Sequence, residues 1–361
     1  MAKTHVSAKR GSALGDILVL IIMALLAVFV YRYIQLSGGN IPGITNPITF
    51  PSTTIPYQSQ NQSLQNTTTA TTTIMPASQI DSYVLSLINR DRQQYGLQNV
   101  TLSSEQSGQQ HSESMLSNEY FSHWDIYGMK PYMRYTLLGG TGAVSENVAF
   151  RSSYICTLTL CSGSLNLTDA LKGMEYSMMY NDSICCNNGH RDNILDPHHN
   201  QVSIGVAYDS GRAYLTEDFI DNYINWNGNP SYSNGQVSLY GATTGGYSLS
   251  QVTISYDQPV SAMSQEELNS TSSYSYGTQV AGVVSSPNYH YTNVTTIVAD
   301  RYDTKGNIFD ISFNISDITR TYGPGEYTLL IWLNGQGGNF IGSTYTIFIG
   351  SDGQAYVPSG I

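Results

Sequence analysis

Asn187-Asn188-Gly189-His190-Arg191-Asp192-Asn193-Ile194-Leu195 surrounds its histidine with residues suited to building a loop. Gly189 gives the backbone room to turn. Arg191, Asp192 and Asn193 supply side chains that tie a loop down by hydrogen bonds. Two stretches upstream belong with it: Tyr120-Phe121-Ser122-His123 and Ser145-Glu146-Asn147-Val148-Ala149. Two histidines and a carboxylate from three separate segments can meet in one cleft, and that cleft is the candidate site.

The flanking sequence reads as helices followed by a hairpin. Ser78 and Asp81 form a plausible cap, and Ile80, Val84, Leu87 and Ile88 keep helical spacing until Gly96. A second helix is predicted near residues 104–118. His111 lies inside it and reads as a hydrogen-bonded packing residue. Strand alternation over 202–208 and 213–216 is broken by the turn Asp209-Ser210-Gly211. The order argues for an α+β domain over 78–225.

An Asn-, Gly- and Pro-rich stretch over 226–235 marks a boundary. Beyond it only strand patterns occur, at 236–240, 252–256, 294–299, 309–315, 327–333 and 344–349. That spacing predicts an antiparallel β-sandwich over 236–361, immunoglobulin-like in architecture but without a Cys-Trp-Cys signature. His290 here, and His198 and His199 after Pro197, read as solvated.

The N-terminal region predicts an anchor and a stalk. Ile17 to Val30 is unbroken apolar sequence, and Leu14 to Ile34 reaches the roughly 20 residues of a spanning helix. Lys3, Lys9 and Arg10 precede it and no basic residue occurs from Gln35 to Asn89, which places the N-terminus in the cytoplasm. A cleaved signal peptide is the rival, but no small-residue cleavage pattern follows the run. Residues 1–36 are thus read as a cytoplasmic tip and transmembrane helix. Residues 37–77, uncharged and rich in Thr, Ser and Pro, are read as a disordered linker reaching roughly 35 Å. Glycosylation triplets begin at Asn61, Asn66, Asn99, Asn166, Asn181, Asn269, Asn293 and Asn314. The expected location is the cell membrane, single-pass, with the C-terminal domains extracellular.

Composition excludes some partners. Of 361 residues only 11% are charged, and the net charge is -11. No basic stripe exists to neutralise phosphates, so nucleic acid is not expected. The expected partners are the membrane, through the anchor, and an extracellular ligand or cell-surface component.

Ile88-Asn89-Arg90, Gly96-Leu97, His111 to Met115, Tyr120 to His123, Arg134, Glu146 to Ala149, Gly189 to Leu195 and Ile204-Gly205-Val206 occur in that order. The succession resembles the CAP superfamily (SCP-like extracellular, cysteine-rich secretory, antigen 5 and pathogenesis-related 1 proteins), in its prokaryotic and archaeal branch, over about 78–222. The resemblance implies an α-β-α sandwich with an open cleft lined by two histidines and two acids. By position, His123 and His190 are the histidines and Glu146 the first acid. Asp182 is preferred to Glu175 as the second, because Tyr180-Asn181-Asp182 best matches the end of the family's helix.

Two neutral imidazoles and a carboxylate suit zinc or another divalent metal, with His123 and His190 as ligands. They equally suit acid–base work without metal, or a purely structural hydrogen-bonded cluster. Three functions stay open: a binding module for a metal, small or polymeric ligand; a metal-assisted extracellular hydrolase with Glu146 as base; and an adhesive surface protein with a vestigial cleft. Whether the chain is an enzyme is left undecided. Cys156, Cys161, Cys185 and Cys186 lie outside the predicted span, which favours disulfides in one of three pairings. The favoured arrangement braces the 156–161 loop to the 185–186 loop, since adjacent cysteines bond only with strain.

Overall fold

The computed structural model describes residues 76–358, except 158, 159, 272 and 336. The predicted anchor, most of the linker and the sites Asn61 and Asn66 lie outside the described residues. Among the described residues, no helix is long and apolar enough to cross a membrane.

The first part of the chain is a three-layer α-β-α arrangement. Its central sheet runs in the order β1 (Thr101–Leu102), β5 (Gln201–Tyr208), β6 (Arg212–Asp221), β2 (Ala143–Ser152). Side-chain alternation decides which layer each residue meets. Val202, Ile204, Val206, Ala213, Leu215 and Phe219 pack against Ile80, Val84 and Ile88 of α1 (Ala77–Gln94) and against Leu171, Met174 and Met178 of α4 (Leu167–Tyr180). Val148 and Tyr214 meet Met115 of α2 (Ser107–Ser117) on the other face. Val144 and Ile220 meet Met129 and the buried Met133 of α3 (Pro131–Leu137). Gly108 and Gly205 let α2 lie on β5, because a Cβ on Gly205 would sit 2.0 Å from the Gly108 carbonyl oxygen.

The second part contains two sheets. One has the order β12 (Thr295–Val298), β11 (Thr278–Val284), β10 (Ser248–Asp257), β15 (Gly325–Gly335), β16 (Gly338–Ile349). The other runs β13 (Arg301–Lys305), β14 (Ile308–Asn314), β9 (Gln236–Thr243), β7 (Ile224–Trp226), with β8 (Ser231–Ser233) also on β9. Both sheets contribute to one buried cluster that includes Val237, Leu239, Val252, Ile254, Phe309, Ile311, Leu329 and Ile331. Two details differ from the antiparallel expectation. β11 and β12 pair in parallel, and the chain enters this region already at Ile224, because β7 and β8 pair with β9.

The two parts are in intimate contact. Phe348 of β16 and the half-buried Val260, Tyr274 and Tyr276 join the cluster around α3. Lys130 Nζ bonds Asp257 Oδ1 at 2.6 Å, and the Thr344 amide donates to the Gly142 carbonyl at 3.1 Å. Glu326 is buried at this level. Its Oε1 accepts from the Val260 amide at 3.2 Å and its Oε2 has no partner among the described residues. Burial pushes its carboxyl up to about 7. The folded chain therefore holds a proton that the unfolded chain releases above its ordinary value of 4.5, and stability falls as pH rises from there towards 7. Glu326→Gln should raise Tm by roughly 2–4 °C at pH 8 and leave it unchanged at pH 4. An unchanged Tm at both pH values would contradict this assignment.

The expected disulfide brace is not formed. Cys156 and Cys161 bond each other, S–S 2.02 Å, across the hairpin of β3 (Tyr154–Cys156) and β4 (Cys161–Gly163). The hairpin sets them opposite one another in register, so neither reaches the second loop. Cys186 is also disulfide-bonded.

Candidate functional site

β2 is the edge strand of its sheet, and adjacent residues on a strand point to opposite faces. Glu146 and Asn147 divide the site between them in this way. In register, Glu146 faces Asp218 and Asn147 faces Glu217. A cleft of about 720 Å³ lies over this edge and is lined by His123, Glu146, Asn147, Cys186, His190 and Tyr274, among others.

On the Glu146 side, the carboxylate is fully buried and engaged. Its Oε1 accepts from His123 Nδ1 at 2.9 Å and its Oε2 from Arg134 Nη2 at 2.6 Å. Arg134 Nη1 also donates to the carbonyls of His123 and Met129, at 2.9 and 2.8 Å. Burial, partly offset by Arg134, pushes the Glu146 carboxyl up to about 7. Burial next to Glu146 also pushes Asp218 well above the carboxylate range. Burial, and then the Arg134 charge, push His123 down to about 4, so its imidazole stays neutral well into acid. The hydrogen bond to Glu146 orients that ring and leaves Nε2 towards the cleft.

On the Asn147 side, His190 lies in the first turn of the short helix α5 (Gly189–Ile194), entered through left-handed Asn187 and Asn188. Asp182 lies behind it. Its Oδ1 bonds His190 Nδ1 at 2.6 Å, and its Oδ2 accepts from the His190 and Arg191 amides at 2.8 and 3.2 Å. Asn147 Nδ2 donates to the His190 carbonyl, and Asn193 Nδ2 to Asn147 Oδ1. Arg92 fastens the far end of this loop. Its buried guanidinium donates to the carbonyls of Gln98, Ile194, Asp196 and His199.

The site residues expected from sequence fall into two clusters facing one cleft. His123, Glu146 and His190 line it, and Asp182 supports His190 from beneath. Glu175 is distant in role: it is buried beside Glu217 in the α4 layer, where burial and the Glu217 charge push its carboxyl well up. His111 is buried and bonds the Ser122 carbonyl at 2.8 Å, as a packing residue does. His199 is not solvated. It is 5% exposed, bonds Asp221 and Asn193, and stacks on Phe219. His198 also departs from that expectation, stacking on Phe340 at 4.1 Å. After Pro197, His198 thus meets the second part of the chain, while His199 is buried within the first.

Sequence reading missed the contribution of the second part. Tyr274, in the connection between β10 and β11, accepts the Glu146 amide on its hydroxyl at 2.9 Å and packs on the His123 ring at 5.1 Å. Only a long-range contact places it there, so no local pattern could have shown it.

Asp182, Cys186 and His190 present ligand atoms within 4.8 Å of one another. They do not fit a metal as they stand, because Asp182 already bonds His190 and the Cys186 sulfur is in a disulfide rather than a thiolate. His123 and His190 line the same cleft. In both rings Nδ1 is held by a carboxylate, the arrangement that presents Nε2 as a metal ligand.

A three-layer α-β-α domain with two carboxylate-held histidines over its sheet edge defines the class. Residues 85–220 match the model of the CAP, cysteine-rich secretory protein, family, and this stretch is a CAP domain. Among solved structures, the chain is similar to the CAP domain of Enterococcal PrgA, at 11% identity and a TM-score of 0.27, over 57% of this chain and 70% of that one. No curated protein matches the chain.

Proposed function

We propose that this is a membrane-anchored, extracellular surface protein whose CAP cleft binds a divalent metal through His123 and His190. The carrying observation is the pair of Nδ1–carboxylate bonds, His123 to Glu146 and His190 to Asp182. They fix both rings and keep Nε2 of each as the ligating atom. A bound cation would supply Lewis acidity and a site for water or an anionic ligand. The hydrolase reading gains no support from Glu146, whose side chain is 0% exposed and whose oxygens are already bonded. We read the two C-terminal sheets as an immunoglobulin-like sandwich that also walls the cleft through Tyr274. All six triplet asparagines among the described residues are exposed, which supports an exported, glycosylated chain.

Zinc calorimetry on the full chain tests the cleft. Binding at about micromolar Kd or tighter is expected, weakened at least ~100-fold in His123→Ala/His190→Ala. Circular dichroism should show the variant folded. Unchanged binding in a folded double variant would sink the metal reading. Removing residues 1–36 should move the protein from the membrane fraction to the soluble fraction. Retention on membranes after that deletion would rule out the predicted helix as the anchor.

A further inference from the structure

The Glu146–Arg134 wall has a second side. Behind it a separate pocket of about 350 Å³ is lined by α2, by Asp125, Ile126 and Tyr127, and by Arg134 itself. Two buried polar atoms of its lining side chains lack partners among the described residues: His111 Nδ1 and Arg134 Nε. His111 is 1% exposed and Arg134 7%. The His111 Nε2 proton goes to the Ser122 carbonyl, so Nδ1 is a bare acceptor. Arg134 spends its terminal nitrogens on Glu146 and two carbonyls, so Nε–H is a spare donor. Buried polar atoms of this kind are normally satisfied.

We propose that this pocket binds a neutral, hydroxyl-rich small molecule, a single sugar ring or a comparable polyol. A hydroxyl both donates and accepts, which answers an imidazole nitrogen and a guanidinium N–H together. The charge balance excludes an anion. Glu146 neutralises Arg134, and the carboxylates of Glu113 and Asp125 line the same pocket. Ser114 adds a neutral hydroxyl, and the part-exposed Tyr127 ring adds an apolar face suited to a sugar's C–H surface. The volume stands at the low end of the range for small-molecule sites, which suits one ring rather than a chain.

The test uses the full chain with isotope-labelled histidine, titrated by NMR with a neutral hexose, an N-acetylhexosamine and a linear polyol. At least one should shift the His111 ring resonances saturably, with Kd about millimolar or tighter. Ser117→Trp, which places a bulky ring at the exposed mouth, should weaken that binding at least ~10-fold with Tm unchanged. Tyr127→Ala serves if the tryptophan variant does not fold, with the same expected loss. No His111 shift at roughly 100 mM of any probe would overturn the proposal. So would a shift that survives in the folded blocking variant.

Discussion

Replacing Arg92 by methionine should lower unfolding free energy by about 4 kcal/mol, since an orphaned buried polar group costs about 1–3 kcal/mol. Methionine keeps much of the volume, so the loss reports on hydrogen bonds more than on a cavity. The guanidinium serves four carbonyls: Gln98, Ile194, Asp196 and His199. Three of them lie in the segment that follows His190. Urea denaturation of the full chain measures the total. Hydrogen exchange should show the loss of protection concentrated in 189–199. A change below ~1 kcal/mol would mean that water or local relaxation satisfies these carbonyls instead.

Arg134→Met should cost a comparable amount, about 3–5 kcal/mol, because it strands Glu146 without its cation. The pH dependence separates this from simple loss of packing. In the native chain Glu146 titrates near 7, above the ordinary 4.5. Its native state thus retains a proton that the unfolded state loses, and stability drops as pH rises between those values. Without Arg134 the folded carboxyl moves higher still, so the penalty keeps growing above 7. The gap between wild type and variant should be widest near pH 8–9 and narrower at pH 5. Adding Glu146→Gln should recover about 1–3 kcal/mol through the broken coupling. A gap that does not change with pH would show that the carbonyl bonds of Arg134, not its charge, hold the wall.

Much of the first domain is legible because local chemistry wrote it. The alternation in 202–208 and 213–216 marks two strands of its sheet, whereas Glu146-Asn147 stands out only as one piece of an ordered set of motifs. His190 is readable because loop-building residues ring it, and His123 because of its place in that ordered set. The errors share a different cause. His198 and His199 look like an exposed turn, but Phe340 of the second part stacks on the one and Asp221, Asn193 and Phe219 of the first part enclose the other. Tyr274 is one of 28 tyrosines, and nothing near it in sequence signals the Glu146 amide it receives. The cysteine pairing failed on distance: a five-residue separation closed by a hairpin satisfied Cys156 and Cys161 locally.

The division of labour between Glu146 and Asn147 makes β2 a ruler. Because side-chain direction alternates with a period of two, gain or loss of one residue between Ala143 and Glu146 would turn the carboxylate towards His190 and the amide towards Arg134. Both halves of the cleft would then be wrong at once, with no single contact having been deleted. Length in this strand is therefore as binding a constraint as residue identity, and variation in the chain has to fall in its loops.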